Sequence, residues 1–115
     1  MEFMDQTSAV RREQRAYRRM PVKLAASLEL AFEQQNARLL NLSRGGALVE
    51  TSKQPNAGSS VILNCGALRT RAKIVWTAGE KIGVRFLDPI PETAVEEQTR
   101  RSAAAATARQ NFKGS

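Results

Sequence analysis

The strongest constraint on this chain is a period-two alternation of apolar and polar residues, repeated in short segments with turn residues between them. Val22, Leu24, Ala26, Leu28, Leu30 and Phe32 share one parity, the period of a half-buried strand. Alanine and leucine favour helix, but six consecutive hits at period two outweigh that weak preference. The polar run Glu33-Gln34-Gln35-Asn36 reads as a turn, and Ala37 to Leu42 as a second strand with mixed alternation. Asn41-Leu42-Ser43-Arg44-Gly45-Gly46 carries a turn signal with two adjacent glycines, and Ala47 to Thr51 makes a third strand. After a polar loop over 52–60, Val61, Leu63 and Cys65 alternate in a fourth strand closed by Gly66. Leu68, Thr70, Ala72, Ile74 and Trp76 form the inward parity of a fifth, with Arg69, Arg71, Lys73 and Val75 on its other face. Ala78-Gly79-Glu80 links it to a sixth, where Ile82, Val84 and Phe86 face inward beside Lys81 and Arg85. Six short strands without a helix between them predict a mainly β fold, an antiparallel sheet closed into a small barrel. Closure removes the exposed edges that an open sheet of this size would have to protect.

Both ends differ from this pattern. Residues 1–10 are polar without periodicity and read as a disordered lead. Arg11, Arg12, Arg15, Arg18 and Arg19 then crowd one short stretch, offset only by Glu13. Pro21 biases Met20 towards an extended conformation, so this basic N-terminal arm should run straight into the first strand. The expected barrel domain, arm included, covers 11–91. Asp88-Pro89-Ile90-Pro91 stops the sheet, and Thr93-Ala94-Val95-Glu96 matches a capping box. Ala103 to Ala106 favour helix, so 92–115 reads as a C-terminal α-helix and tail. Its stripe of Val95, Ser102 and Ala106 offers little area to bury. Weak docking, fraying towards Gly114 and a monomeric protein are expected.

Composition narrows the function. The 115 residues include no histidine and one cysteine, Cys65. Histidine-based triads, His-ligated metal sites and CxxC metal sites are therefore absent. No nucleophile–base pair can be assembled from the remaining residues, and a binding role rather than an enzyme is expected. No apolar run approaches the length of a membrane span, and the lead lacks a signal-peptide core; a cytoplasmic protein without membrane insertion is expected. The formal charge of +7, with an isoelectric point near 10.5, points to an anionic partner. Cys65 shares the inward parity and reads as a small buried hydrophobe.

Two motifs carry chemistry. The first is Arg15-Ala16-Tyr17-Arg18-Arg19, an RxxxR spacing. Each guanidinium is a planar fork that can hold a phosphate or a guanine O6/N7 edge in bidentate fashion. Two of them four residues apart can clamp both sides of a small anion. The second is Asn41-x-Ser43-x-x-Gly46, where the second strand ends and the third begins. Asparagine and serine offer short hydrogen-bonding groups, and Gly46, lacking Cβ, can take a positive φ and let a ligand approach the backbone. The same three residues also suit a β-turn for reasons of backbone geometry alone.

Taken together, a basic RxxxR arm, Pro-Val opening a strand, about twenty residues to (D/N)xSxxG and six barrel strands resemble the PilZ domain family. Lys81-Ile82-Gly83-Val84-Arg85-Phe86-Leu87 is similar to that family's last core strand, so the resemblance covers Arg11 to Leu87. It implies a stand-alone PilZ-type β-barrel that binds the bacterial second messenger cyclic di-GMP, with no other cofactor. On the family pattern Arg15 and Arg19 would contact guanine edges and phosphates, and Asn41 and Ser43 would hydrogen-bond to a guanine. Gly46 would give room and turn geometry. Arg18 either supplements the clamp or faces solvent, while Arg11 and Arg12 add long-range attraction. Trp76 has the parity of a core residue, yet in some family members a tryptophan at a similar place stacks on a guanine. Tyr17 lies within the arm and could pack on the barrel. The family more often carries aspartate where this chain has Asn41; asparagine has one acceptor atom and no charge, but it is a common alternative in the family and is read as permitted, with weaker affinity left open. A basic, polar segment without periodicity beside a rigid barrel predicts an arm that orders on binding and presents a new surface, with the C-terminal helix, to a downstream effector protein. Such partners belong to motility, polysaccharide secretion and biofilm control. Two rival readings are an adaptor that acts only through protein contacts and a small-barrel nucleic-acid binder. Aromatic residues make up only 5% of the chain and no strand shows an exposed aromatic pair, which argues against nucleic acid.

Overall fold

The computed structural model describes residues 17–53 and 55–114. Its strands are β1 (Met20–Glu29), β2 (Gln34–Leu42), β3 (Gly46–Glu50), β4 (Ser60–Cys65), β5 (Leu68–Ala78) and β6 (Lys81–Phe86), followed by helix α1 (Glu92–Gly114). All pairings are antiparallel, and the order β1-β2-β3-β6-β5-β4 closes on itself as a barrel. The inward parity read from the alternation becomes the core. Val22, Leu24, Leu28, Leu39, Leu42, Val49, Val61, Leu63, Cys65, Ala72, Ile74, Ile82, Val84 and Phe86 are all buried. A Leu→Ala change at such a site costs about 2–5 kcal/mol, from lost transfer energy plus the cavity left behind. The N-terminal lead, with Arg11, Arg12 and Arg15, lies outside the described residues.

Four sequence expectations are corrected. First, β1 ends at Glu29 rather than Phe32. Leu30 N–H donates to Glu33 O at 2.7 Å, so the turn falls at 30–33 and Gln34–Asn36 are already in β2. Phe32 sits on that turn and is fully exposed; parity alone could not tell a strand end from a turn. Second, Trp76 is 45% exposed instead of buried. The β5–β6 register shifts between Ile74 and Trp76, from Ile74↔Val84 to Trp76↔Gly83. The bulge adds one residue to β5 and reverses the parity after it.

Third, Thr93 does not cap the helix. α1 starts at Glu92, and Pro91 O accepts Ala94 N–H at 3.0 Å and Val95 N–H at 3.4 Å. Thr93 is thus inside the first turn, where Glu92 complements the helix dipole. Fourth, Gly46 does not have a positive φ; among the described residues Gly58, Gly66 and Gly79 do. What demands glycine at 46 is space: a Cβ there would stand 2.3 Å from the Val84 backbone oxygen of β6.

The helix docks through more than the small apolar stripe. Val95 and Gln98 are each 2% exposed, and Ala94 packs against the core. Ser102 lies one helical turn beyond Gln98 on the same side. Its hydroxyl accepts Lys23 N–H at 2.9 Å, within the gap where the β1 register shifts between Pro21 and Leu24. The bulge thus frees a backbone donor that the helix satisfies. The buried Gln98 amide has partners too: its Oε1 receives the Cys65 thiol at 3.7 Å and the Arg101 guanidinium. Burial pushes the Cys65 thiol up from its ordinary value, opposed by the Arg101 guanidinium at 3.9 Å.

Candidate functional site

The site is built where the arm enters the barrel. Arg19 immediately precedes β1, whose Pro21 pairs with Asn41 near the end of β2. That pairing sets Arg19 beside Asn41, and Arg19 Nη1 donates to Asn41 Oδ1 at 3.3 Å. One residue from each motif, far apart in sequence, is therefore in contact. Asn41 is half-buried and Arg19 exposed, so the guanidinium keeps further donors facing solvent. Arg18 is exposed beside it. Arg15, the other arginine of the spacing, lies outside the described residues.

The Ser43–Gly46 turn is held from within. Ser43 N–H donates to Gly46 O at 2.9 Å. The Ser43 hydroxyl accepts the N–H groups of Gly45 and Gly46, each at 3.2 Å, and reaches Gly46 O at 3.3 Å. Ser43 is 5% exposed, so its hydroxyl is committed to the turn rather than offered at the surface. A serine can do this because its short side chain reaches the backbone two and three residues on. Gly46 then pairs with Arg85 of β6, so β3 and β6 approach closely at the turn.

Arg44, which the sequence reading did not single out, ties three segments together. Its guanidinium lies 5.3 Å from the Tyr17 ring centroid, within cation–π range. Arg44 Nε donates to Ile90 O at 2.9 Å, and Ile90 N–H returns a bond to Arg44 O at 2.8 Å. The Tyr17 ring also covers Gly45, where a Cβ would come within 2.8 Å of it. The turn is thus clasped between the end of the arm and the segment that leads into α1. Only a lone arginine between serine and glycine was visible as a signal, and nothing local marked its partners.

Trp76 is not brought against this cluster. Register runs Asn41↔Leu48, Leu48↔Gly83 and Gly83↔Trp76. The Trp76 backbone is three strand steps, about 14 Å, from Asn41 along the barrel wall, and its ring, reaching over Gly83, stands one step nearer. Trp76 lies outside the barrel, its ring flat over Gly83; a Cβ on Gly83 would meet Nε1 at 2.2 Å. Two surface hollows, one lined by Leu30, Gln35 and Pro55 and another by Leu68, Ala94 and Gln98, lie away from the turn. The arm–turn site is an open, cationic surface suited to an anion with hydrogen-bonding edges, not an enclosed pocket. Among the described residues no cluster of three or more acidic or cysteine side chains could hold a metal. Among the described residues no helix is long and apolar enough to cross a membrane.

A family model for the PilZ domain matches residues 11–104. Among solved structures, the PilZ domain of CeSA from a cellulose-synthesizing bacterium is similar at a TM-score of 0.53 and 17% identity, over 73% of this chain and 92% of that one. YcgR from Escherichia coli in complex with c-di-GMP gives a TM-score of 0.56 at 19% identity, over 85% of this chain and 49% of that one. The chain spans about half the length of that protein. The PilZ domain of YcgR with c-di-GMP gives 0.52 at 21% identity, over 84% and 95%. At these identities the likeness is one of fold. No curated protein sequence matches the chain significantly.

Proposed function

The chain belongs to the PilZ domain family, and from that premise we propose that it is a receptor for cyclic di-GMP, a binding protein rather than a catalyst. The observation that carries this reading is the Arg19–Asn41 contact, which joins the RxxxR arm to the NxSxxG turn on one open surface. A cyclic dinucleotide offers two phosphates and two guanines. Arg19, with Arg15 of the same motif, supplies forks for phosphate oxygens and guanine O6/N7 edges. Asn41 Oδ1 accepts from a guanine when the ligand displaces its present donor, Arg19. Ser43 contributes through the turn that its hydroxyl holds, and Gly46 by leaving the β3–β6 approach clear. Trp76 offers a stacking face farther along the wall. Arg18 adds charge.

Relay follows from Arg44. Ligand that draws the arm down shifts Tyr17, which rests on Arg44 and Gly45. The turn in turn holds Ile90 ahead of α1. The arm, the turn and α1 together form the surface offered to a downstream protein.

Isothermal titration with cyclic di-GMP, with GTP as control at physiological salt, tests the reading. Saturable binding of the cyclic dinucleotide alone is expected. Arg19→Ala, which removes a charged bidentate contact worth about 1–3 kcal/mol, should weaken it roughly tenfold to a hundredfold. Wild-type protein that gives no heat and does not compete refutes the receptor reading. Unchanged affinity in Arg19→Ala removes that residue from the site.

A further inference from the structure

The barrel wall next to the turn carries cations that no carboxylate among the described residues neutralises. Lys73 on β5 and Arg85 on β6 are direct register partners, and both are exposed. Directly opposed residues of an antiparallel pair have Cβ atoms about 5 Å apart, and like charges there repel. Two other cations on the strands are engaged. Arg69 pairs with Glu29 at 3.1 Å and Arg38 with Glu50 at 3.9 Å. Among the described residues no carboxylate lies within ion-pair distance of Lys73 or Arg85, or of Arg71, two positions before Lys73 on the same exposed face. Glu50 is opposite Lys81, on a different row, and Asp88 lies beyond the end of β6.

The position of this pair gives it meaning. Arg85 is opposite Gly46 on its other side, and Lys73 is opposite Ser60. One row across four strands therefore reads Gly46, Arg85, Lys73, Ser60. It begins at the turn of the candidate site, where no side chain separates Gly46 from Arg85. It ends at an exposed serine hydroxyl. A planar fork and a mobile ammonium flanking a gap of this width match the oxygens of one phosphate group. An anion seated there would turn a repulsive juxtaposition into two charge-assisted contacts.

We infer that Lys73 and Arg85 form a phosphate seat on the outer wall of β5 and β6, continuous with the arm–turn site and contacting a phosphate of the ligand held there. The second part of this inference rests on the receptor reading; the seat itself does not. Inorganic pyrophosphate is the probe for the seat, followed by amide chemical shifts in the full chain. Saturable shifts are expected at Ser60, Lys73 and Arg85. Lys73→Gln and Arg85→Gln should each weaken that response about tenfold, the loss of one charge-assisted contact, while Lys53→Gln, in an exposed loop, leaves it unchanged. Without ligand, both seat variants should melt at or above the wild-type temperature, because each removes a repulsion; a purely structural role would lower it. Absent or undiminished pyrophosphate shifts, or seat variants that melt earlier, overturn the seat. In parallel, cyclic di-GMP affinity is measured on the same proteins. Wild-type affinity retained in both seat variants separates the seat from the ligand site and overturns its assignment there. A wild type that ignores cyclic di-GMP yet seats pyrophosphate through Lys73 and Arg85 supports the seat and refutes the receptor reading.

Discussion

Gly46→Ala is the substitution whose outcome the geometry determines most sharply. A methyl at this position would stand 2.3 Å from the Val84 carbonyl oxygen and 3.5 Å from Arg85 Cα. Ordinary contacts between heavy atoms fall near 3.5–4.0 Å, so β6 would have to retreat by about 1 Å. Its backbone cannot yield as a side chain does, because Ala47↔Val84 and Gly46↔Arg85 are rungs of the β3–β6 ladder. Overpacking of this kind costs about 1–3 kcal/mol, or roughly 5–20 °C in melting temperature for a domain of this size. The neighbouring Gly45→Ala is the control. Its methyl would meet the Tyr17 ring at 2.8 Å, and that side chain can swing away at the cost of its contact with Arg44, about 0.5–1 kcal/mol. Urea unfolding followed by circular dichroism and by Trp76 fluorescence, with equal slopes required, reads both. Gly46→Ala should unfold at clearly lower urea than Gly45→Ala. Equal midpoints would refute the argument that strand apposition, rather than a special φ or a ligand contact, demands glycine at 46. Any loss of cyclic di-GMP binding in Gly46→Ala should therefore accompany a loss of stability.

Other consequences can be measured directly. Asn41→Asp replaces a neutral acceptor with a charged one, a gain of about 1 kcal/mol per hydrogen bond, so cyclic di-GMP should bind roughly fivefold tighter by titration calorimetry; weaker binding would show that the pair with Arg19 locks the site instead. Gly83→Ala should lift the Trp76 ring off the wall, seen as a red shift and greater acrylamide quenching of its emission; an unchanged spectrum would contradict the ring's position over Gly83. Arg44→Ala removes both the bond to Ile90 O and the contact with Tyr17, at a cost of about 1–3 kcal/mol. Amide exchange should quicken at Tyr17 and Ile90 together, and acceleration at only one end would break the proposed relay. The Cys65 thiol, pushed up by burial, holds its proton in the folded state above the pH at which the unfolded thiol ionises. Stability should hold up to the ordinary value of 9.0 and decline as pH rises from there through the folded value. The Cys65→Ser protein should lack this component of the alkaline decline.

Strand identity and core composition were legible because alternation acts within a single segment. Leu28, Leu63, Ile74 and Ile82, fully or almost fully buried, could be assigned to one face without knowing what they would meet. The turn was legible for a similar reason. Ser43 reaches backbone groups only two and three residues away, so its role is written in local spacing. Arg19 and Asn41 could each be named as site residues from the motifs, and the β1–β2 pairing brought them into contact by setting Pro21 opposite Asn41.

What local pattern could not reach was register between strands. Trp76 faces outward because an extra residue opposite β6 reverses its parity, and no residue within β5 announces that bulge. Gly46 needs its bare Cα because Val84 of a distant strand comes up against it. Lys73 and Arg85 each look like an ordinary outward cation in their own strand; only the β5–β6 pairing sets one charge against the other. Gln98 carries no apolar signal and Ser102 reads only as a small member of α1's weak stripe, yet they dock the helix to Cys65 and to a Lys23 N–H released by the irregularity in β1. Period and turn chemistry are properties of neighbouring residues. Register, bulges and the satisfaction of freed backbone groups depend on pairing between separate segments, from Trp76 opposite Gly83 within one hairpin to Lys23 against Ser102 at the far end of the chain, and these contacts form only in the tertiary structure.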